Sequence, residues 1–275
     1  MSALLCVDNL FDTVEQYPSH AVTAEEEPTG LEASRFAAGR RDQQASATTA
    51  NSDWWIKAIF DRVRAFDFVC LWNHNLLGET VKIEASDDDF ATPAQTIFSA
   101  ALPTVPGTGS VDDALGVVCE DGTMWLKRFP RRAAAAVRIY SVAMGAGLKP
   151  LVNGLVGLSY SFDRDLGEFP DANDLLATRE RNEAGYVGMG RRTVFPSGSV
   201  PIHHATFDAY EQFRYHLKRY GAESPAVLIF DEARAEQALL VHRPEQRLGF
   251  KQDRSYFYPF GQLPYEVHEP KEGAL

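Results

Sequence analysis

The sequence predicts a mostly β protein: an antiparallel β-sandwich over residues 1–147, followed by a smaller α+β domain over residues 148–275 with one amphipathic helix. Three observations predict it. Short apolar runs, several of them alternating with period two, recur between turn signals through the first half of the chain. That half shows no strands alternating with long helices, which argues against a doubly wound nucleotide-binding fold. Aromatic residues make up 11% of the chain within an apolar fraction of 45%, a composition that suits strands and a packed interior better than disorder.

The elements follow in order. Residues 20–53 are polar and small, including Glu25-Glu26-Glu27-Pro28, and read as loop. Trp54-Trp55-Ile56-Lys57-Ala58-Ile59-Phe60 is the first strand and residues 66–72 the second. Asn73-His74-Asn75-Leu76-Leu77-Gly78 combines turn formers with a glycine, and Thr80-Val81-Lys82-Ile83-Glu84-Ala85 then alternates apolar and polar. Asp87-Asp88-Asp89 closes this strand, and residues 103–109, rich in Pro and Gly, form a surface loop. Further strands are expected at 116–119, at 124–129 after the Asp121-Gly122 turn, and at 134–142 around Val137-Arg138-Ile139-Tyr140. Gly145, Gly147 and Pro150 mark the domain boundary. Beyond it, strands are expected at 157–162 and 226–230. A helix is expected over 207–220: Phe207, Tyr210, Phe213, Leu217 and Tyr220 recur at helical spacing, Lys218 and Arg219 lie in the last turn, and Gly221 stands at the cap.

The 38 acidic and 27 basic side chains give a formal charge of −11, so most of this surface would repel a nucleic acid backbone. Cys6, Cys70 and Cys119 lack the paired spacing of zinc or redox motifs, and Cys70 lies in an apolar run as a small buried hydrophobe would. The start of the chain lacks the basic residues of a leader, and no apolar run approaches the roughly 20 residues of a membrane helix. A soluble protein made in a reducing cytoplasm, without membrane insertion, is expected.

No catalytic motif emerges. Adjacent His203 and His204 would point to opposite faces of an extended segment, and no third ligand accompanies them. Asp87-Asp88-Asp89 lacks the spacing of a calcium loop and reads as solvated. Gly185, Gly188 and Gly190 reverse the dinucleotide fingerprint and read as a flexible turn, and no Gly-x-Ser-x-Gly elbow is present. A non-enzymatic protein with no metal or cofactor is expected; a hydrolase using dispersed carboxylates is a third-ranked alternative. The ligand-binding candidates are Trp72, His74 and Asn75, weighed against a purely local role in which the turn side chains bond the backbone. Trp54, Trp55, Trp72 and Trp125 read as core residues. Tyr256, Phe257, Tyr258 and Phe260, interleaved with Pro259, are interface candidates, expected to pack on the helix or, preferentially, on an adjacent subunit.

The first half resembles the discoidin-like domains, also called coagulation factor type C or galactose-binding-like domains, of phage tail and baseplate proteins. The resemblance is carried by Asn51 with Trp54, by residues 64–71, by the Asn73 to Gly78 turn leading into residues 81–86, and by Trp125 with Val137-Arg138-Ile139-Tyr140. It implies an eight-stranded jelly-roll sandwich whose loops bind sugars, lipids or proteins. The stretch around Gly185 to Arg192 and the helix after it resemble the part that follows this domain in some phage minor tail proteins. Together these imply a virion structural protein of a tail tip or baseplate, a homo-oligomer among other tail proteins that faces the host receptor. The alternative is a carbohydrate-binding module that recognises a cell-surface glycan near His74.

Overall fold

A computed structural model describes residues 2–7, 9–12, 21–24, 30, 32–37, 45–46, 54–120, 122–141, 151–163, 172–176, 179–181, 187–189, 193–201, 225–242, 262–267 and 271–272. The strands are β1 (Ser2–Val7), β2 (Ala21–Ala24), β3 (Trp54–Trp72), β4 (Thr80–Ser86), β5 (Gln95–Ala101), β6 (Val117–Val118), β7 (Met124–Ser141) and β8 (Asn153–Asp163). They continue with β9 (Ala172–Leu176), β10 (Arg179–Arg181), β11 (Val187–Met189), β12 (Thr193–Pro201), β13 (Ala226–Ile229), β14 (Leu239–His242), β15 (Gln262–Val267) and β16 (Lys271–Glu272). Two 3-10 turns, η1 (Ala33–Ala37) and η2 (Glu232–Gln237), complete the described elements.

The chain forms two compact units, one of residues 2–161 with 224–238, the other of 162–223 with 239–275 and Met1. The expected boundary at 147/148 falls outside the described residues. On its far side, most of β8 and all of β13 belong to the same unit as the sandwich strands, because β8 pairs with β3 and β13 with β1.

In the first unit all strand pairs with a defined register are antiparallel, and two long strands organise them. The expected pairs 54–60 with 66–72, and 124–129 with 134–142, are each one continuous strand. β3 is 19 residues long and β7 is 18, and they pair along almost their whole lengths. Their partners change halfway. The first half of β3 lies beside β2, and the matching second half of β7 lies beside β4, which carries β5. The second half of β3 lies beside β8, and the first half of β7 beside β6. Register shifts between Ile59 and Arg64 and between Phe66 and Phe68 mark the change. There Arg62, Val63 and Ala65 of β3 and Arg131, Arg132 and Ala133 of β7 turn outward. Bulges bend paired strands and strengthen their twist, so one ladder passes around a corner and contributes to two packed layers.

The core fills the fold. From one layer come Trp54, Ile56, Ala58, Val81, Ile83, Val137 and Ile139; from the other come Val69, Leu71, Trp125 and Val156. Phe98 of β5 meets Trp125 of β7 at a ring separation of 5.2 Å, which joins the two layers, and Phe66 packs edge-on to Phe129 at 5.8 Å near the corner. Trp54, Trp72 and Trp125 are core residues, as expected, whereas Trp55, expected there too, is half-buried, because strand alternation turns it away from the core that holds Trp54. Phe36 of η1 stacks on Phe11 at 4.5 Å and covers Gly154 of β8, where a Cβ would collide with its ring. β1 is a continuous buried run, Leu4-Leu5-Cys6-Val7, lying between β13 and β8. It lacks period-two alternation because a strand covered on both faces has no polar side. All three cysteines are buried and in no disulfide, and burial pushes the Cys6 thiol well above its ordinary value.

Buried charges in this unit are held by partners. Arg128 donates to both oxygens of Asp112 and, at 2.9 Å, to Glu232 of η2, while Asp67 accepts from the Ser159 amide at 2.7 Å. Arg64 at the corner pairs with Asp61 at 2.6 Å. These bonds offset the cost of taking charge out of water and tie the loop at 110–113 and η2 to the sheet.

In the second unit β12 pairs with β9, β15 and β16, and β14 pairs with β15, all antiparallel; β10 and β11 form a separate ribbon. Residues 187–189, within the stretch read as a flexible turn, are therefore strand, with Gly188 opposite Glu180. The expected helix at 207–220, His203-His204 and the segment with Tyr256, Phe257, Tyr258 and Phe260 lie outside the described residues.

Candidate functional site

The three ligand candidates are built into the turn after β3. Trp72 is 2% exposed and closes the strand beneath the surface. His74 Nδ1 accepts from the Leu76 amide at 3.2 Å, and its Nε2 is buried with no hydrogen-bond partner. Desolvation lowers its pKa to about 4, so the ring is neutral in the fold. Asn75 Oδ1 accepts from the Leu151 amide at 2.9 Å, and the Asn75 amide donates back to the Leu151 carbonyl at 3.3 Å. His74 thus fixes the turn locally, as weighed above, whereas Asn75 fastens the turn to Leu151, just before β8.

A different group of residues lies together on the outward face of the layer formed by β2, β3, β7, β4 and β5. Two registered rows cross it. One runs Trp55, Tyr140, Lys82, Ser99; the next runs Lys57, Arg138, Glu84, Thr96, with Thr23 of β2 opposite Lys57. The face exists because each strand alternates: Trp54, Ile56, Ile83, Val137 and Ile139 turn to the core, so their neighbours must turn away from it. Trp55, Lys57, Lys82, Arg138 and Tyr140 are half-buried.

Glu84 sits at the centre, its side chain 9% exposed. Arg138 Nη2 donates to Glu84 Oε2 at 2.6 Å, and the Tyr140 hydroxyl donates to Oε1 at 3.0 Å, with Thr96 Oγ1 behind it at 3.4 Å. The Arg138 guanidinium lies 4.4 Å from the Phe90 ring centre and 4.8 Å from that of Tyr140. Lys82 Nζ lies 5.2 Å from the same Tyr140 ring, and Lys57 Nζ 5.4 Å from that of Trp55. Cations over aromatic faces gain quadrupole attraction and hold both partners in one rotamer.

Phe90 reaches Arg138 through a strained loop. Asp89 has φ of 55° and Phe90 φ of 65°, two consecutive non-glycine residues in the left-handed region. The surroundings impose it: Lys57 holds Asp89 at 2.7 Å, and the Phe90 amide donates to Ser86 Oγ at 2.9 Å. Asp88 accepts from Thr92 Oγ1 and Ser86 Oγ, each at 2.7 Å, and the Thr92 bond above all holds its pKa below the usual value. Such strain costs on the order of 1–3 kcal/mol per residue and gathers where a side chain must be held in place. Beside this loop a cleft of about 230 Å³ is lined by Ser86, Asp88, Thr92, Pro93, Gln95 and Ala134. Asp87-Asp88-Asp89 is exposed, and among the described residues no group of three His, Cys, Asp or Glu side chains is placed to hold a metal ion.

The first unit is therefore an antiparallel β-sandwich bearing an aromatic and cationic face with a polar cleft beside it. No family model matches the chain, and no curated protein matches it. Among solved structures it is similar to chitosan-binding module 1 of a chitosanase/glucanase from Paenibacillus sp. IK-5, at 19% identity over 55% of this chain and 98% of that one, with a TM-score of 0.41. It is similar to a Ruminococcus gnavus GH29 fucosidase solved with fucose, at 12% identity and a TM-score of 0.41, over 56% of this chain and only 27% of the fucosidase. A third, CpGH89CBM32-6 produced by Clostridium perfringens, matches at 9% identity and a TM-score of 0.36, over 57% of this chain and 99% of that module.

Proposed function

We propose that the first unit is a carbohydrate-binding module and that the β3–β7–β4 face is its glycan surface. The observation that carries this reading is the juxtaposition of Trp55, Tyr140 and Phe90 with Arg138, Glu84, Lys57 and Lys82 on one half-buried sheet face. Aromatic rings offer apolar planes for the C–H faces of a pyranose, and fixed donors and acceptors around them match its hydroxyls. Arg138, Tyr140 and Thr96 hold the Glu84 carboxylate in one position, which gives the face a fixed acceptor. Of the two readings open at the sequence level, this is the one the described residues favour. The tail-assembly reading leaned on the discoidin-like resemblance, the absence of catalytic motifs and the aromatic segment at Tyr256, Phe257, Tyr258 and Phe260, the last of which lies outside them.

A glycan array probed with the purified protein tests the proposal. Saturable binding is expected, and Trp55→Ala and Tyr140→Ala should each abolish it while the melting temperature stays within a few degrees of the parent. A protein that binds no glycan, or a Trp55→Ala variant that binds as the parent does, would refute it.

A further inference from the structure

We infer that the ligand of this face is an acidic saccharide, one whose sugar carries a carboxylate or sulfate group that meets Lys82 and Arg138. The inference rests on the glycan-binding reading above and goes beyond it by fixing the charge of the ligand. It comes from the pairing of charges on the face. Lys57 is neutralised by Asp89 at 2.7 Å and Arg138 by Glu84 at 2.6 Å. Lys82 makes no ion pair among the described residues; its ammonium rests on the Tyr140 ring alone.

Arg138 is only partly used. Nη2 is taken by Glu84, Nε is buried without a partner, and Nη1 makes no hydrogen bond among the described residues. Lys82 and Arg138 both lie about 5 Å from the centre of one ring, Tyr140. The Arg138 charge is balanced by Glu84, whereas no carboxylate among the described residues balances Lys82. Lys57, Lys82 and Arg138 stand against Glu84 and Asp89 on the sheet face, leaving one positive charge in excess there, at Lys82, while Asp87 and Asp88 lie on the adjoining loop. An anion on the face would balance Lys82 and form charge-assisted hydrogen bonds with Lys82 Nζ and the unused Arg138 Nη1. The aromatic rings meanwhile hold the sugar that bears it. A neutral sugar would leave the Lys82 charge unmatched.

Trigalacturonate and galactotriose share ring stereochemistry and differ at C6, so calorimetric titration with both separates the acid from the sugar. A sulfated galacto-oligosaccharide forms the third arm. At low salt the acid is expected to bind about tenfold more tightly than the neutral sugar, the gain of one charge-assisted bond, and that ratio should fall as sodium chloride is raised. Lys82→Met should bring the ratio close to one, with the thermal melt confirming the fold. A preference for the sulfated sugar over both others would support the inference and assign the anion as sulfate. Equal affinity for acidic and neutral sugars, or a ratio untouched by Lys82→Met, would overturn the inference and leave the glycan-binding reading standing. If no arm binds, the inference falls, and the glycan array alone decides the glycan-binding reading.

Discussion

Lowering the pH from about 7.5 to about 5 is expected to remove about 2 kcal/mol of stability through His74 alone. The folded pKa is about 4 against an ordinary value of 6.5, because the ring is desolvated in the turn after β3. Between those values the unfolded chain binds a proton that the native state refuses, so stability rises with pH across this window and falls as the solution is acidified. The full shift corresponds to roughly 3 kcal/mol, and integrating only as far as pH 5 leaves about 2 kcal/mol. Comparison with a variant lacking the ring isolates His74, because the other six histidines are common to both proteins. Asp88 and Asp112 also have folded pKa values lowered, by bonds from Thr92 and Arg128 above all, but their contribution is present above the ordinary carboxylate value and is lost only in stronger acid. Urea unfolding of the parent and of His74→Asn at the two pH values measures the difference. Asparagine can accept the Leu76 amide bond without titrating, so the variant should lose almost none of its stability over the same interval. Parallel losses in both proteins would show that His74 is not buried in neutral form and would refute the reasoning.

Phe98→Ala should destabilise the first unit by about 3–5 kcal/mol in chemical denaturation, because it removes the ring that joins the layers at Trp125. Phe90→Gly should leave stability within roughly 1 kcal/mol of the parent, relief of the left-handed backbone offsetting the lost contact with Arg138, while glycan affinity in calorimetry falls. A clear loss of stability without loss of binding would mean the strained loop serves the fold alone. Gly154→Ala should cost more than about 2 kcal/mol in the same urea assay, since the new methyl meets the fully buried Phe36 ring and the Cys70 carbonyl, neither of which can swing aside.

What could be read from the chain alone was the set of alternating strands and which side chains face inward. Val81-Lys82-Ile83-Glu84 and Val137-Arg138-Ile139-Tyr140 state their buried and outward positions by period two, and Trp54 and Trp125 are as buried as their surroundings suggest. The local role of His74 was also legible, because a turn residue bonds the backbone nearest to it, whereas the bond of Asn75 to Leu151 is tertiary. The continuity of β3 was not. Asp61-Arg62-Val63-Arg64 looks like a break between strands, and only the partner strand shows that it is a bulged corner where one ladder changes layer. Nor could the candidate site be found in sequence. Trp55, Lys82, Glu84, Phe90, Arg138 and Tyr140 come from three strands and a loop, and each looks like an ordinary outward residue of its own strand. They become one surface only when register sets Tyr140 between Trp55 and Lys82, and Arg138 between Lys57 and Glu84. Alternation is a local property of each strand, whereas register is decided by how the two layers close over their shared core, and that closure is tertiary.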